Sequence, residues 1–282
     1  MELTAKGTPM IVRSATTALL LALALAAPAH ARKNPSAAPP DPSQDRVLIT
    51  AGFLNGHPDL RFRLLALEKR EAAKQEDAFM YFQRAAYYAD KPSQGMVAEM
   101  LWTGVGTAQD KASAYVWMDL AAERGYEGFL DLRERYWAAM SEAERERALA
   151  VGQDIYARYG DEAALPRIAT AMRRERKSIT GSRTGFAGNV KIVVPGPAGG
   201  MEQIDGTKFY DDRYWDPKQY QAWHDAVWMK PRVARISVGG PEAVPTTPTK
   251  ASRIPDVAPQ VDAPEPITDD AMPRLQDAED KH

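Results

Sequence analysis

The sequence predicts a mainly α-helical protein: a short α-solenoid of helix-turn-helix repeats over residues 46–178, a small α+β appendage over 179–238, and a disordered tail over 239–282. Three observations carry this. Residues 46–178 are rich in Ala, Leu, Glu and Arg at helical spacing. The block repeats itself after 36 residues, a period typical of stacked supersecondary units. After Lys177 the texture changes to Gly, Thr, Val and aromatic residues.

Within the helical block, the pattern around Ala78, Tyr81, Ala85 and Ala86 returns at Ala114, Trp117, Ala121 and Ala122. The spacing predicts a helix over 93–103, a glycine turn at Gly104 and Gly106, and a second helix over 110–124. Asp110 is suited to cap that second helix, and Gly125 to take the left-handed conformation after its last turn. Tyr115, Met118 and Ala122 form one row at spacings of three and four, and Ala114, Trp117 and Ala121 a second. Together they make one broad apolar face. Small residues at 85–86 and 121–122 let helices approach closely, while Phe82, Trp102 and Trp117 fill the space between layers. Pro58, Pro92 and Pro166 fit helix starts, and Ser141 with Glu144 forms a capping box for a closing helix ending before Gly160.

The run Ala98, Leu101, Trp102, Gly104, Gly106, Asp110, Lys111, Ala112, Ala114, Tyr115, Trp117, Ala121, Ala122, Glu123 and Gly125 resembles the Sel1-like repeat, a relative of the tetratricopeptide repeat. The resemblance covers roughly 58–160, with one full repeat flanked by partial ones. It implies a curved helical array acting as an adaptor, with a partner groove lined by the first-helix residues Met96, Glu99, Met100 and Thr103.

At the amino end, Lys6 and Arg13 precede an apolar stretch over 15–27 and then Ala29 and Ala31. That is the pattern of a signal peptide over 1–31, too short to span about 30 Å of hydrocarbon, with cleavage before Arg32. Residues 32–45 are polar and proline-rich and read as a disordered leader. Cysteine is absent, which excludes disulfides, thiolate metal sites and a cysteine nucleophile. The net charge of −2 gives no whole-molecule attraction to nucleic acid or to an anionic membrane.

Beyond the repeats, residues 190–194 and 233–238 read as strands. Asp216 and Pro217 open a helix on which Tyr220, Trp223, Val227 and Trp228 share a face. The tail carries eight prolines with nine acidic and four basic residues, a composition of disorder.

Catalytic signatures are missing. Neither a Gly-x-Ser-x-Gly elbow nor an HExxH is present, and no two histidines stand at metal-ligand spacing. Gly104 and Gly106 lack the third glycine and the preceding strand of a dinucleotide site. The basic run Arg173, Arg174, Arg176 and Lys177 reads as the solvated end of a helix. No cofactor, metal or catalytic residue is therefore expected. The expected function is a non-catalytic protein-protein interaction scaffold or adaptor in the bacterial cell envelope, periplasmic or secreted, whose partner is a protein or peptide and not nucleic acid. The alternative is a cell-wall glycan-binding module or hydrolase. It would use the aromatic and acidic segment 201–228, with Tyr214, Trp215, Tyr220 and Trp223 stacking on sugar and Asp205 and Asp212 as its acids.

Overall fold

The computed structural model describes residues 53–180, 191–195, 201–229 and 251–266. The expected signal peptide, leader and strand at 233–238 lie outside them. Eight helices come first: α1 (Phe53–Gly56), α2 (Pro58–Glu71), α3 (Gln75–Tyr87), α4 (Lys91–Thr103), α5 (Lys111–Ala122), α6 (Glu127–Ala139), α7 (Glu142–Tyr159) and α8 (Asp161–Thr180). An antiparallel pair follows, β1 (Lys191–Pro195) and β2 (Met201–Asp205), with Lys191 opposite Asp205 and Pro195 opposite Met201. Three helices close the regular structure: α9 (Gly206–Phe209), α10 (Asp212–Trp215) and α11 (Pro217–Trp228).

The local chemistry of the best repeat produces the expected helix pair. Asp90 caps α4 by accepting from the Ser93 amide, and Asp110 caps α5 by accepting from the Ser113 amide. Gly104 ends α4 in the left-handed region, its N–H bonded to the Met100 carbonyl. Gly106 is left-handed too, and a Cβ there would lie 2.3 Å from the Gln75 carbonyl oxygen, so the turn needs glycine to lie against the start of α3. The 36-residue period reappears in the backbone. Ala89 ends the α3 unit at φ 66°, and Gly125 ends the α5 unit at φ 77°. The Ser141–Glu144 capping box forms at the start of α7. Pro166, expected at a helix start, lies inside α8.

Helices pack as pairs, α2 with α3 and α4 with α5, and α5 is also the surface on which α6 and α7 rest. This central place explains its composition: Ala112, Ala114, Tyr115, Val116, Leu120, Ala121 and Ala122 are all fully buried. With neighbours on several sides, α5 has no room for a longer side chain at its alanines. An Ala121→Leu substitution should destabilise the chain by about 1–3 kcal/mol, read from urea unfolding midpoints at unchanged slope.

A second core joins the two ends of this chain region. Phe53, Leu60, Ile168, Met172, Phe209, Tyr210, Tyr214, Trp215, Tyr220 and Trp223 form one buried cluster. Helices α9, α10 and α11 therefore share a core with α1, α2 and α8, so this part of 179–238, whose relation to the helical block the sequence leaves open, packs on that block. The physical reason is a shortage of partners. A helix of twelve residues carrying Tyr220, Trp223 and Val227 on one face buries that face only against another large apolar surface, and α8 supplies it.

The largest departure from the sequence reading concerns residues 251–266. The composition predicts disorder throughout 239–282, yet these sixteen residues lie against the helices, joined by hydrogen bonds and ion pairs to α3, α5, α6, α7 and α8. They contain no helix or strand. Their prolines, which prevent regular structure, also restrict φ in the undocked chain and so lower the entropy lost on docking.

Candidate functional site

Residues 251–266 run over a groove built from the face that the helix pairs leave open. At its first end, α5 contributes Tyr115 and Asp119, and α6 contributes Arg133, Glu134 and Trp137. Arg133 and Asp119 are both 1% exposed and pair at 3.0 Å, and the same guanidinium donates to the Ala251 carbonyl at 3.3 Å. Asp119 accepts from Tyr156 at 2.7 Å and from the Ser252 hydroxyl. This buried carboxylate thus has donors on three sides, one of them from the docked segment. Its charge is compensated rather than stranded.

Arg253 enters next as a fork. Its Nη1 donates to Glu134 Oε1 at 3.0 Å and to the Tyr115 hydroxyl at 3.2 Å, and its Nη2 to Glu134 Oε2 at 2.5 Å. Its guanidinium also lies 4.9 Å from the centre of the Trp137 ring. This bidentate arrangement fixes direction as well as position. Ile254, 6% exposed, packs on α7 at Gly152, where a Cβ would come within 2.6 Å of its Cδ1. Burying an isoleucine contributes about 1.5–3 kcal/mol, which makes Ile254 the apolar anchor of the segment.

From residue 260 onward recognition passes to the main chain. The Gln260 amide donates to the Ala157 carbonyl at 2.6 Å. Arg167 of α8 donates to the Gln260 carbonyl and, at 2.8 Å, to the Val261 carbonyl. Tyr87 donates to the Ala263 carbonyl and Arg158 to the Pro264 carbonyl. The far end closes with a second ion pair, Arg84 Nε to Glu265 Oε1 at 2.8 Å, joined by the Tyr88 hydroxyl on Glu265 Oε2 at 3.2 Å. Burial and the neighbouring Glu265 carboxylate both push the Tyr88 hydroxyl up, so it stays protonated and donates. Between groove and segment lies a cavity of about 370 Å³, lined by Asp119, Glu123, Tyr156 and Glu162 on one side and by residues from Ser252 to Pro259 on the other.

The residues expected to line a partner groove lie elsewhere. Met100 is 4% exposed and belongs to the core, so it is not a docking residue. Met96 is half-buried and accepts from Arg70 through its sulfur, Glu99 is exposed, and the Thr103 hydroxyl donates to the Glu99 carbonyl within the same helix. The four sit on α4, and among the described residues no hydrogen bond or ion pair joins them to residues 251–266. The aromatic residues expected to stack on sugar are also corrected. Tyr214, Trp215, Tyr220 and Trp223 are 8%, 1%, 4% and 8% exposed, with Trp215 donating its indole N–H to the Phe209 carbonyl at 2.7 Å. Core packing has claimed the rings, leaving no stacking surface. Asp212 is engaged by Arg176 at 3.2 Å, and the Asp205 side chain lies outside the described positions.

The other polar cluster is internal. His57 stacks on Phe53 at 3.8 Å, and its ring nitrogens face the Phe53 and Tyr214 carbonyls. Asp59 accepts from Tyr220 at 2.8 Å, and Asp90 pairs with Arg63 at 3.0 Å. Burial pushes both Asp59 and Asp90 up to about 6 and His57 down to about 4, and it also lowers His224. The signs oppose each other. Between about pH 6 and 4 the folded chain holds protons on the aspartates that the unfolded chain has released, so acidification there stabilises. Over the same range the unfolded chain protonates histidines that the folded chain keeps neutral, so acidification destabilises. An Asp59→Asn variant removes one of the stabilising contributions. Relative to the parent it should lose stability on acidification below pH 6, by up to about 1.4 kcal/mol per pH unit. Urea unfolding at pH 7, 5.5 and 4.5 checks this, and parallel curves for the two proteins would contradict it.

Among the described residues, no group of three or more histidines and carboxylates is placed to hold a metal ion, and no helix is long and apolar enough to cross a membrane. Comparison with family models, curated proteins and solved structures gives no match for this chain.

Proposed function

We propose that the protein is a non-catalytic scaffold of the bacterial cell envelope that binds a non-helical, proline-punctuated segment of polypeptide along the groove of α3, α5, α6, α7 and α8. One observation carries the reading: the groove already holds such a segment, and four main-chain carbonyls, those of Gln260, Val261, Ala263 and Pro264, accept from Arg167, Tyr87 and Arg158. Donors aimed at peptide carbonyls recognise a chain whatever its side chains are, and side-chain anchors at the two ends then supply selectivity. The repeat pattern centred on α4 and α5, with its resemblance to the Sel1-like repeat, supports the same class of function, since stacked helix pairs create long binding faces. Export rests on the amino-terminal pattern described above.

A photo-crosslinking residue at Glu162, which is exposed and borders the cavity, tests this in the full chain within intact envelopes. The expected product is an adduct to a second polypeptide, lost when Glu134 is changed to Lys. Crosslinks only to residues 251–266 of the same chain would mean that the groove serves its own tail and no partner.

A further inference from the structure

We infer that residues 251–266 are a resident mimic of the partner: the groove takes, in trans, a segment bearing an Arg-aliphatic anchor followed about twelve residues later by a carboxylate, and this chain's own tail competes for the place. The inference rests on the scaffold reading and specifies its ligand.

Four features of the docked segment point to a removable occupant rather than a buried part of the fold. First, its side chains are mostly exposed. Ser252, Pro255, Asp256, Ala258, Pro259, Gln260 and Asp262 face outward, and only Ile254 is buried. An element built into a core would bury more of its surface. Second, the two ends carry opposite charges matched to opposite partners, Arg253 to Glu134 and Glu265 to Arg84, so the groove has a polarity that a bound chain must satisfy. Third, Ile254 is the one buried side chain of the segment and lies directly over Gly152, where the absence of a Cβ leaves room for an aliphatic residue immediately after the arginine. Fourth, the cavity bordered by Pro255, Asp256, Val257 and Pro259 leaves unfilled space between the middle of the segment and the groove. The interactions that specify sequence are thus confined to Arg253, Ile254 and Glu265, with the main-chain donors between them.

A tail tethered to its own groove presents itself at an effective concentration on the order of millimolar, which an external segment must overcome. The wild-type chain should therefore bind such a segment weakly. Weakening the resident motif should open the site without touching a groove residue.

The experiment uses a labelled peptide of residues 250–266 titrated into the full chain and into a full chain carrying Arg253→Glu and Ile254→Asp. The expected result is binding at least about tenfold tighter to the substituted chain than to the wild type. A peptide bearing the same two substitutions should not bind. The charge swap gives a second arm that does not depend on the first variant folding. A Glu134→Lys chain should prefer the peptide in which Arg253 is replaced by Glu, reversing the wild-type order. Equal binding of a composition-matched scrambled peptide would overturn the motif while leaving the scaffold reading intact. Absence of binding by every peptide to both variants, with their helical circular dichroism preserved, would overturn motif and scaffold together. A concentration-dependent dimer of the wild-type chain dissolved by the peptide would overturn occupation in cis and make a second copy the tail's host.

Discussion

A Gly152→Leu chain should fold normally and yet release residues 251–266. The glycine lies within α7, where leucine has the higher helix propensity by close to 1 kcal/mol, so the helix itself gains. The added side chain takes the space now filled by Ile254, whose Cδ1 and Cγ2 lie 2.6 and 2.9 Å from the new Cβ position. Ile254 must leave, and about 1.5–3 kcal/mol of burial leaves with it. Arg253 and Glu265 then hold the segment by partly exposed ion pairs, each worth on the order of 1 kcal/mol or less, together with the main-chain hydrogen bonds of residues 260–264, whose net worth is also small once water competes for them. Limited proteolysis should cut within 251–266 at least about tenfold faster than in the parent, with the melting temperature lowered by no more than a few degrees, since the burial lost only slightly outweighs the helix gain. A protected segment in this variant would show that Ile254 is not the anchor.

Trp215→Ala should have the opposite character, a large loss of stability with no selective effect on the groove. Trp215 is 1% exposed, edge-on to Phe53 at 5.8 Å and to His57 at 4.9 Å, and in the same core as Phe209 and Tyr210. Gly56 lies close enough that its Cβ would meet the indole at 2.7 Å, so the ring is enclosed by α1 as well as by α9 and α10. Emptying such a site costs about 3–5 kcal/mol, enough to lower the melting temperature by roughly 6–20 °C in a chain of this size. Calorimetry checks it. A loss below about 1 kcal/mol would mean that the ring is solvent-facing, as a sugar-stacking platform requires, and would restore the reading that its burial removes.

The helix pair α4–α5 was legible because each of its signals is local. Asp90 and Asp110 cap within three residues, Gly104 and Gly106 meet steric demands of the turn itself, and the alanines of α5 mark a helix with neighbours on several sides. The second core was half legible. The shared face of Tyr220, Trp223 and Val227 is visible in the spacing, but its partners Phe53, Leu60, Ile168 and Met172 are far away in sequence, and periodicity carries no information about distant pairing. The groove was missed for a third reason. Composition reports whether a segment is able to build a core of its own, and residues 251–266 are not. It does not report whether a segment will lie on a core built elsewhere, held by carbonyl groups that every residue possesses. Two signals stood in the sequence without being used: Asp119, a carboxylate within the most apolar helix, and Gly152, a helix-interior glycine with no turn to make. Each marked a place where something outside the helices approaches.

The measurement that bears most directly on the account is amide hydrogen exchange of the full chain at Gln260, whose N–H donates to the Ala157 carbonyl of α7. Exchange at least about a hundredfold slower than in the free peptide of residues 250–266, lost in the Gly152→Leu chain, is the expected result. Exchange at the free-peptide rate in the unaltered chain would mean that the segment does not occupy the groove, and would contradict both the resident-mimic inference and the recognition of main-chain carbonyls on which the proposed function stands.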